Sequence, residues 1–272
     1  MESEVPQVPP TTGTPQVPPT SGTPTPQEPV KYKFPTETIE LPSKGLLYPL
    51  DHPLASGKVE MKYMTAKEED ILTNQNFINN GTVLDKLLQS LILTKVNYND
   101  LLIGDKNAIM IASRILGYGK DYEFTYDGEE HVVDLSELEN KEINESLFTR
   151  GQNNFDFILP HTGTNITFRL MDGHLEKKIE NEIKGLKKIN KLSSADLSTR
   201  MKHLITSVEG DETPKTIRDF VDNYLLARDS RALREYIKDI QPDISLETSL
   251  TINGEEREME VPIGINFFFP DA

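Results

Sequence analysis

Hydrophobic positions along this chain switch between two periods, and the switches mark out short strands and helices. TETIEL (residues 36–41) and VEMKYM (residues 59–64) alternate polar and apolar residues, which predicts strands. The connection LPSKGLLYPLDHPLASGKV is broken by Pro42, Gly45, Pro49, Pro53 and Gly57, which predicts an extended, non-helical path. Helical spacing follows. Thr65 and Glu68 read as a capping box ahead of EEDILTNQNFI. Thr82 opens a helix with Val83, Leu84, Leu87, Leu88, Leu91 and Ile92 on one broad face. Asn99 and Asp105 are expected to cap two shorter pieces, the second (NAIMIASRILGYG) ending at Gly117 or Gly119. YEFTY and HVVDL then predict a hairpin.

The second half repeats the alternation. NFDFILP and NITFRL predict a strand pair around His161, Thr162 and Gly163. LPHTG at residues 159–163 also fits a surface-protein sorting signal, but its place between two strands makes it a hairpin turn. Asp172 is expected to cap a long helix striped by Leu175, Ile179, Ile183, Leu186 and Ile189, and residues 196–208 a further helix. Thr213-Pro214 gives an N-cap with proline at the first helical position, ahead of Ile217, Phe220, Val221, Tyr224 and Leu225 at helical spacing. Asp229 or Ser230 restarts the helix, Leu233, Ile237 and Ile240 face inward, and Pro242 closes it. ISLETSLTI and REMEV make a second hairpin.

The two hairpins are similar. TYDGEEHVVDL (residues 125–135) and TINGEEREMEV (residues 251–261) share Thr, Gly, Glu and Glu. Asp127-Gly128 and Asn253-Gly254 suit a type I′ turn, which needs φ > 0 at both central residues. Two such hairpins on one chain suggest a single paired knuckle, a scaffold more than a catalytic pocket. The expected fold is α+β: a mainly helical body with short antiparallel hairpins. Residues 1–30, where PQVPPTTGT recurs as PQVPPTSGT, are expected to be a disordered arm, acting as a spacer or a docking ligand. Residues 31–272 form one domain, with an extended β arm (31–64), helices and the first hairpin (65–135), a strand pair with helices (136–243), and the second hairpin with a Phe-rich end (244–272).

Composition narrows the chemistry. The 272 residues carry a formal charge of -15, which disfavours nucleic-acid binding. The absence of cysteine excludes disulfides, thiolate zinc, iron–sulfur clusters and a cysteine nucleophile. No apolar run of membrane-spanning length and no leader is expected, so the default location is cytoplasm. His52, His131, His161, His174 and His203 form no metal-ligand spacing, and no phosphate loop or nucleophile elbow is present. Catalytic, cofactor and metal residues are therefore all expected to be none. A hydrolase using Glu129 and Glu130 is disfavoured, because neighbours on a strand point to opposite faces. Lys184, Lys187 and Lys188 lie on the one basic helix and form either a solvated face or a contact to an acidic partner. Phe267, Phe268 and Phe269 are either core or an insertion into a partner.

LPSKGLLYP (residues 41–49), LASGKVEMKYMTAKEEDIL (54–72), DLLIGDKNAIMIASRILGYGKDYEF (100–124) and ARDSRALREYIKDIQPD (227–243) resemble the baseplate hub protein family of T-even-type contractile-tailed bacteriophages. The resemblance spans most of residues 36–272 and leaves out the Pro/Thr arm. It implies a part in building the phage tail baseplate through contacts with other baseplate and tail proteins, as a lasting virion component or as an assembly factor that leaves, present in the host cytoplasm during assembly. It also implies two hairpins that often carry CxxC knuckles resembling a split zinc ribbon. Here YDGE (126–129) and INGE (252–255) stand where those cysteines are expected, so a four-thiolate site is lost. The expectation is that the tight turns replace the metal, and that Tyr126 and Ile252 hold the hairpins together. A regulatory module that binds a host protein through the Pro/Thr arm is a further reading.

Overall fold

The computed structural model describes residues 34–189, 196–252, 255–263 and 267–268. The Pro/Thr arm, the Asn253-Gly254 turn and Phe269 lie outside these residues. The fold is α+β: eight α-helices and four small antiparallel sheets among the described residues. β1 (Thr36–Glu40) pairs with β2 (Lys58–Lys62). The expected capping box is present at α1 (Ala66–Leu72): the Glu68 carboxylate accepts from the Thr65 N–H at 3.1 Å and the Thr65 hydroxyl at 2.5 Å. The helix read through EEDILTNQNFI is interrupted, however. Asn74 caps a separate α2 (Gln75–Asn79), because its carboxamide oxygen competes for the Asn76 and Phe77 N–H groups. α3 (Val83–Leu91) buries Leu87, Leu88 and Leu91.

Glu68 is buried and takes a third bond from the Lys62 ammonium at 2.7 Å. Burial alone would raise its carboxyl. The Lys62 and Thr65 donors outweigh burial and hold it below the usual range. Its contribution to stability is therefore present above the ordinary glutamate range and lost as pH falls through the lowered folded value. Glu68→Gln is expected to destabilise the protein by about 1–3 kcal/mol at pH 7 and to flatten the acid limb of a urea-unfolding series between pH 6 and about pH 3. An unchanged acid limb would show that Glu68 is not so held.

α4 (Ile103–Tyr118) ends at Gly119 with φ +88, as expected, and leads into the hairpin of β3 (Asp121–Tyr126) and β4 (Glu129–Asp134). Asp127 and Gly128 have φ +52 and +83, the type I′ signature. β5 (Phe155–Ile158) and β6 (Asn165–Phe168) flank LPHTG as predicted. α5 (Gly173–Ile189) starts where Asp172 accepts the Leu175 N–H at 2.7 Å. The helix expected over residues 196–208 is α6 (Asp196–Leu204) only. Its last four residues become β7 (Ile205–Val208), because the β-branched Ile205, Thr206 and Val208 complete a three-stranded sheet on β6. α7 (Pro214–Asn223), α8 (Ala227–Ile240) and the hairpin of β8 (Glu247–Ile252) and β9 (Glu255–Glu260) follow.

Asp105 and Asp229 are not the caps the sequence suggested. Leu102 and Leu226 are the N-caps of α4 and α8, and each aspartate sits at the third helical position, fully buried. Each accepts a backbone N–H from a Leu-Pro turn: Ser43 to Asp105 Oδ1 at 3.0 Å, and His161 to Asp229 Oδ1 at 2.8 Å. These matched bonds reveal a tandem repeat wider than the hairpins. LPSKG (41–45) matches LPHTG (159–163), with Gly45 and Gly163 both left-handed (φ +75 and +71). LIGDKNAI (102–109) matches LARDSRAL (226–233). Strand, Leu-Pro turn, strand, helices, aspartate-bearing helix and hairpin recur in the same order in each half, with β7 added among the helices of the second.

Candidate functional site

Asp105 is the centre of the first half's joint. Besides the Ser43 N–H, its carboxylate accepts the Ser43 hydroxyl at 2.7 Å and the Tyr48 hydroxyl at 2.5 Å, and Tyr48 in turn accepts the Leu102 N–H at 2.9 Å. The turn that delivers Ser43 is tight: a Cβ on Gly45 would lie 2.6 Å from the Ala55 carbonyl oxygen. Burial beside Asp105 pushes the Tyr48 hydroxyl far up, so it stays protonated and remains a donor. Burial likewise pushes the Asp105 carboxyl up, against the pull of its donors. The network joins two segments of the first half, residues 43–48 and 102–105, and its chemistry is positional: a sealed carboxylate with its acceptor sites filled.

Two histidines that no spacing connects meet next to this joint. Asp100 holds His174 Nε2 at 2.9 Å on one oxygen and His52 Nε2 at 3.3 Å on the other. His52 Nδ1 accepts the Leu54 N–H at 3.3 Å, which fixes the neutral ring as the Nε2–H tautomer, and the ring stacks on Tyr48. They line a cleft of about 340 Å³ with Arg169 and Asp172, themselves ion-paired. The cleft can orient polar groups. Sequence reading missed it because the pair is spread over 122 positions, from 52 to 174. Among the described residues no group of three or more His, Asp or Glu is placed to hold a metal ion.

No strand of one hairpin pairs with a strand of the other among the described residues. Each hairpin is its own two-stranded sheet, and Tyr126 projects outward at 43% exposure. Their roots are tied instead. The Lys141 N–H donates to the Asp243 carbonyl and the Ser245 N–H to the Glu139 carbonyl, both at 2.8 Å, and the Tyr122 hydroxyl donates to the Pro262 carbonyl at 2.9 Å. Tyr122, not Tyr126, is therefore the contact residue, because it faces the core side of β3 while Tyr126 lies at the solvated turn. The side chain of Ile252, like residues 253 and 254, is outside the described set. Phe267 and Phe268 are buried in this chain, with Phe267 edge-on to Tyr122, so these two rings are core and not a surface offered to a partner. Lys184 and Lys187 are exposed and paired with Glu180 and Asp196 of the same chain, and Lys188 is exposed beside them. Such exposed pairs are worth about 0–1 kcal/mol and break readily. Glu129 and Glu130 are neighbours on β4, on opposite faces.

No helix among the described residues is long and apolar enough to cross a membrane. No family model, no curated protein and no solved structure matches the chain.

Proposed function

We propose that the protein is a non-enzymatic component or assembly factor of a phage tail baseplate hub, acting through contacts with other tail proteins. The observation that carries this reading is where the resembling stretches lie. Residues 41–49, 100–124 and 227–243 are far apart in sequence yet meet at one place. Ser43 and Tyr48 bond Asp105, and Asn107 Nδ2 donates to Asp243 Oδ1 at 3.0 Å. A resemblance concentrated in interlocking segments is a resemblance in architecture. The tandem arrangement adds to it, since two like modules on one chain suit a body built for multiple contacts. A transient assembly chaperone is the second form of the same reading.

Quantitative mass spectrometry of purified tails, with affinity capture from infected cells, tests it. The structural form expects the protein in tails at a fixed ratio to the symmetric tail subunits. The transient form expects it bound to tail proteins in lysates and missing from finished tails. Absence from both overturns the proposal.

A further inference from the structure

α5, α6 and α7 enclose an open cleft of about 200 Å³. Helical spacing builds its walls. Leu175, Lys178 and Glu182 lie three and four positions apart and share one face of α5, and Ile217 and Arg218 lie three and four positions beyond Pro214 on one face of α7. The last turn of α6 adds Lys202 and His203, and the residue after β6 adds Arg169. Leu175 and Ile217 are buried while Lys178 and Arg218 are exposed, so the cleft has an apolar base and a charged mouth.

The charges do not cancel. Arg169 is paired with Asp172, Lys202 with Asp222, and Glu182 with His203 Nε2 at 2.7 Å. Lys178 and Arg218 have no ion pair and no hydrogen bond among the described residues. Four cations therefore stand against three carboxylates, on a chain where Asp and Glu outnumber Lys and Arg by 44 to 29. An unpaired lysine on an open helix face is simply solvated. In a cleft with apolar walls the field of such charges is focused and draws in an anion. Arg218, with its donors unengaged, matches the two oxygens of a carboxylate.

Size and lining select the anion. The cleft has room for about seven waters at about 30 Å³ each, below the roughly 300–1,000 Å³ of small-molecule sites, so it suits one side chain and not a cofactor. Its apolar base favours an anion carried on a hydrocarbon stem over a bare, hydrated one such as inorganic phosphate. We propose that this cleft binds a glutamate side chain presented by an acidic segment of a partner protein, the carboxylate on Arg218 and Lys178 and the methylene stem over Leu175 and Ile217. The inference rests on the reading of the chain as a contact protein and names the chemistry of one contact.

The test titrates N-acetyl-glutamate N-methylamide into the full-length protein and follows the Leu175 and Ile217 amides by NMR. Its glutamine counterpart and inorganic phosphate are the comparison ligands. The expected result is saturable shifts with the glutamate compound, at least about tenfold weaker affinity for the glutamine compound and for phosphate, and at least about fivefold weaker binding in Lys178→Gln and in Arg218→Gln. Lys215→Gln removes an exposed charge from the same helix that does not line the cleft, and it is expected to bind as wild type does. Raising salt from about 0.1 M to about 1 M is expected to weaken binding at least about threefold. Unchanged β3–β4 amide shifts verify that each variant is folded. No saturable shift, equal binding of the glutamine compound, undiminished binding in both cleft variants, or an equal loss in Lys215→Gln overturns the proposal. Phosphate bound as tightly as the glutamate compound also overturns it, because the site is then one for free oxyanions. A protein that binds the glutamate compound but is absent from tails and from tail-protein complexes keeps the site and overturns the function. One found in tails but indifferent to the glutamate compound does the reverse.

Discussion

Asp105→Ala is expected to lower the melting temperature by about 10 °C, with Asp229→Ala well under half of that. The Asp105 carboxylate satisfies the Ser43 N–H, the Ser43 hydroxyl and the Tyr48 hydroxyl, all buried. Removing the acceptor leaves at least two buried donors unpaired at about 1–3 kcal/mol each, and a domain of this size loses about 2–4 °C per kcal/mol. The damage spreads, since Ser43 Oγ also accepts the Gly45 N–H and Tyr48 anchors Leu102. Among the described residues Asp229 accepts one bond, so its loss costs about 1–2 kcal/mol. Asp105→Asn adds a pH test. The folded carboxyl is raised, chiefly by burial, so the stability tied to its protonation is fully present below the ordinary aspartate range and lost as pH rises through the folded value. The wild-type advantage over Asp105→Asn is therefore expected to shrink as pH rises. Differential scanning calorimetry from pH 4 to 8 measures both effects, and a shift under about 3 °C for Asp105→Ala would refute the joint's importance.

Several local signals in the sequence were read correctly, although Asn74 was passed over as a cap and Asn99 was taken for one where Asn97 caps the turn. The Thr65–Glu68 box, Thr213-Pro214, Gly119 and Asp127-Gly128 each satisfy backbone groups within a few residues, and each is where its residue types put it. Asp105 and Asp229 were misread because a lone aspartate near a helix start has two uses that look alike in one dimension. It can cap its own helix, or it can sit at the third position and reach a distant turn; burial decides, and burial is tertiary. Ile205–Val208 went wrong for a related reason, since a strand this short exists only because β6 offers it an edge. The His52–Asp100–His174 meeting had no sequence signal at all. The longer repeat did have one: LPSKG with LPHTG, and LIGDKNAI with LARDSRAL, lie at offsets of 118 and 124 positions, near the 126 of the hairpins. Variable loops between short matches hid it, and the matched aspartate bonds bring it out.

The repeat explains the tie between the roots of the two hairpins. Each hairpin directly follows its aspartate-bearing helix, separated from α4 or α8 by a few residues. Residues 139–141, after the first hairpin, pair with residues 243–245, before the second, and the antiparallel bridge Asn140–Ile244 lies at their centre. Whatever holds residues 242–245 in place therefore holds the two modules together, and the end of α8 must lie close to the start of α4.

That close approach makes Gly104 the glycine whose added Cβ would come nearest to another atom among the described residues. It sits at the second position of α4, and a Cβ there would lie 2.8 Å from Asp243 Cα and closer still to the Pro242 carbonyl oxygen. Both are backbone atoms, which cannot swing aside as a side-chain tip can. Gly104→Ala must therefore drive residues 242–243 off α4, stretching the Asn107–Asp243 bond and the Lys141–Asp243 backbone bond. Overpacking of this kind costs about 3 kcal/mol or more, far beyond the fraction of a kcal/mol that alanine gains in a helix. Gly185, inside α5 with nothing within 4 Å, is the control: Gly185→Ala is expected to stabilise by about 0.5–1 kcal/mol. In Gly104→Ala, hydrogen exchange is expected to speed up at least about tenfold at the Lys141 and Ser245 amides, which span the modules, while the β3–β4 amides keep their protection. Uniform loss of protection would mean that residues 242–245 are not a separate joint, and protection equal to wild type at Lys141 would mean that α4 and the end of α8 do not touch as closely as their backbones require.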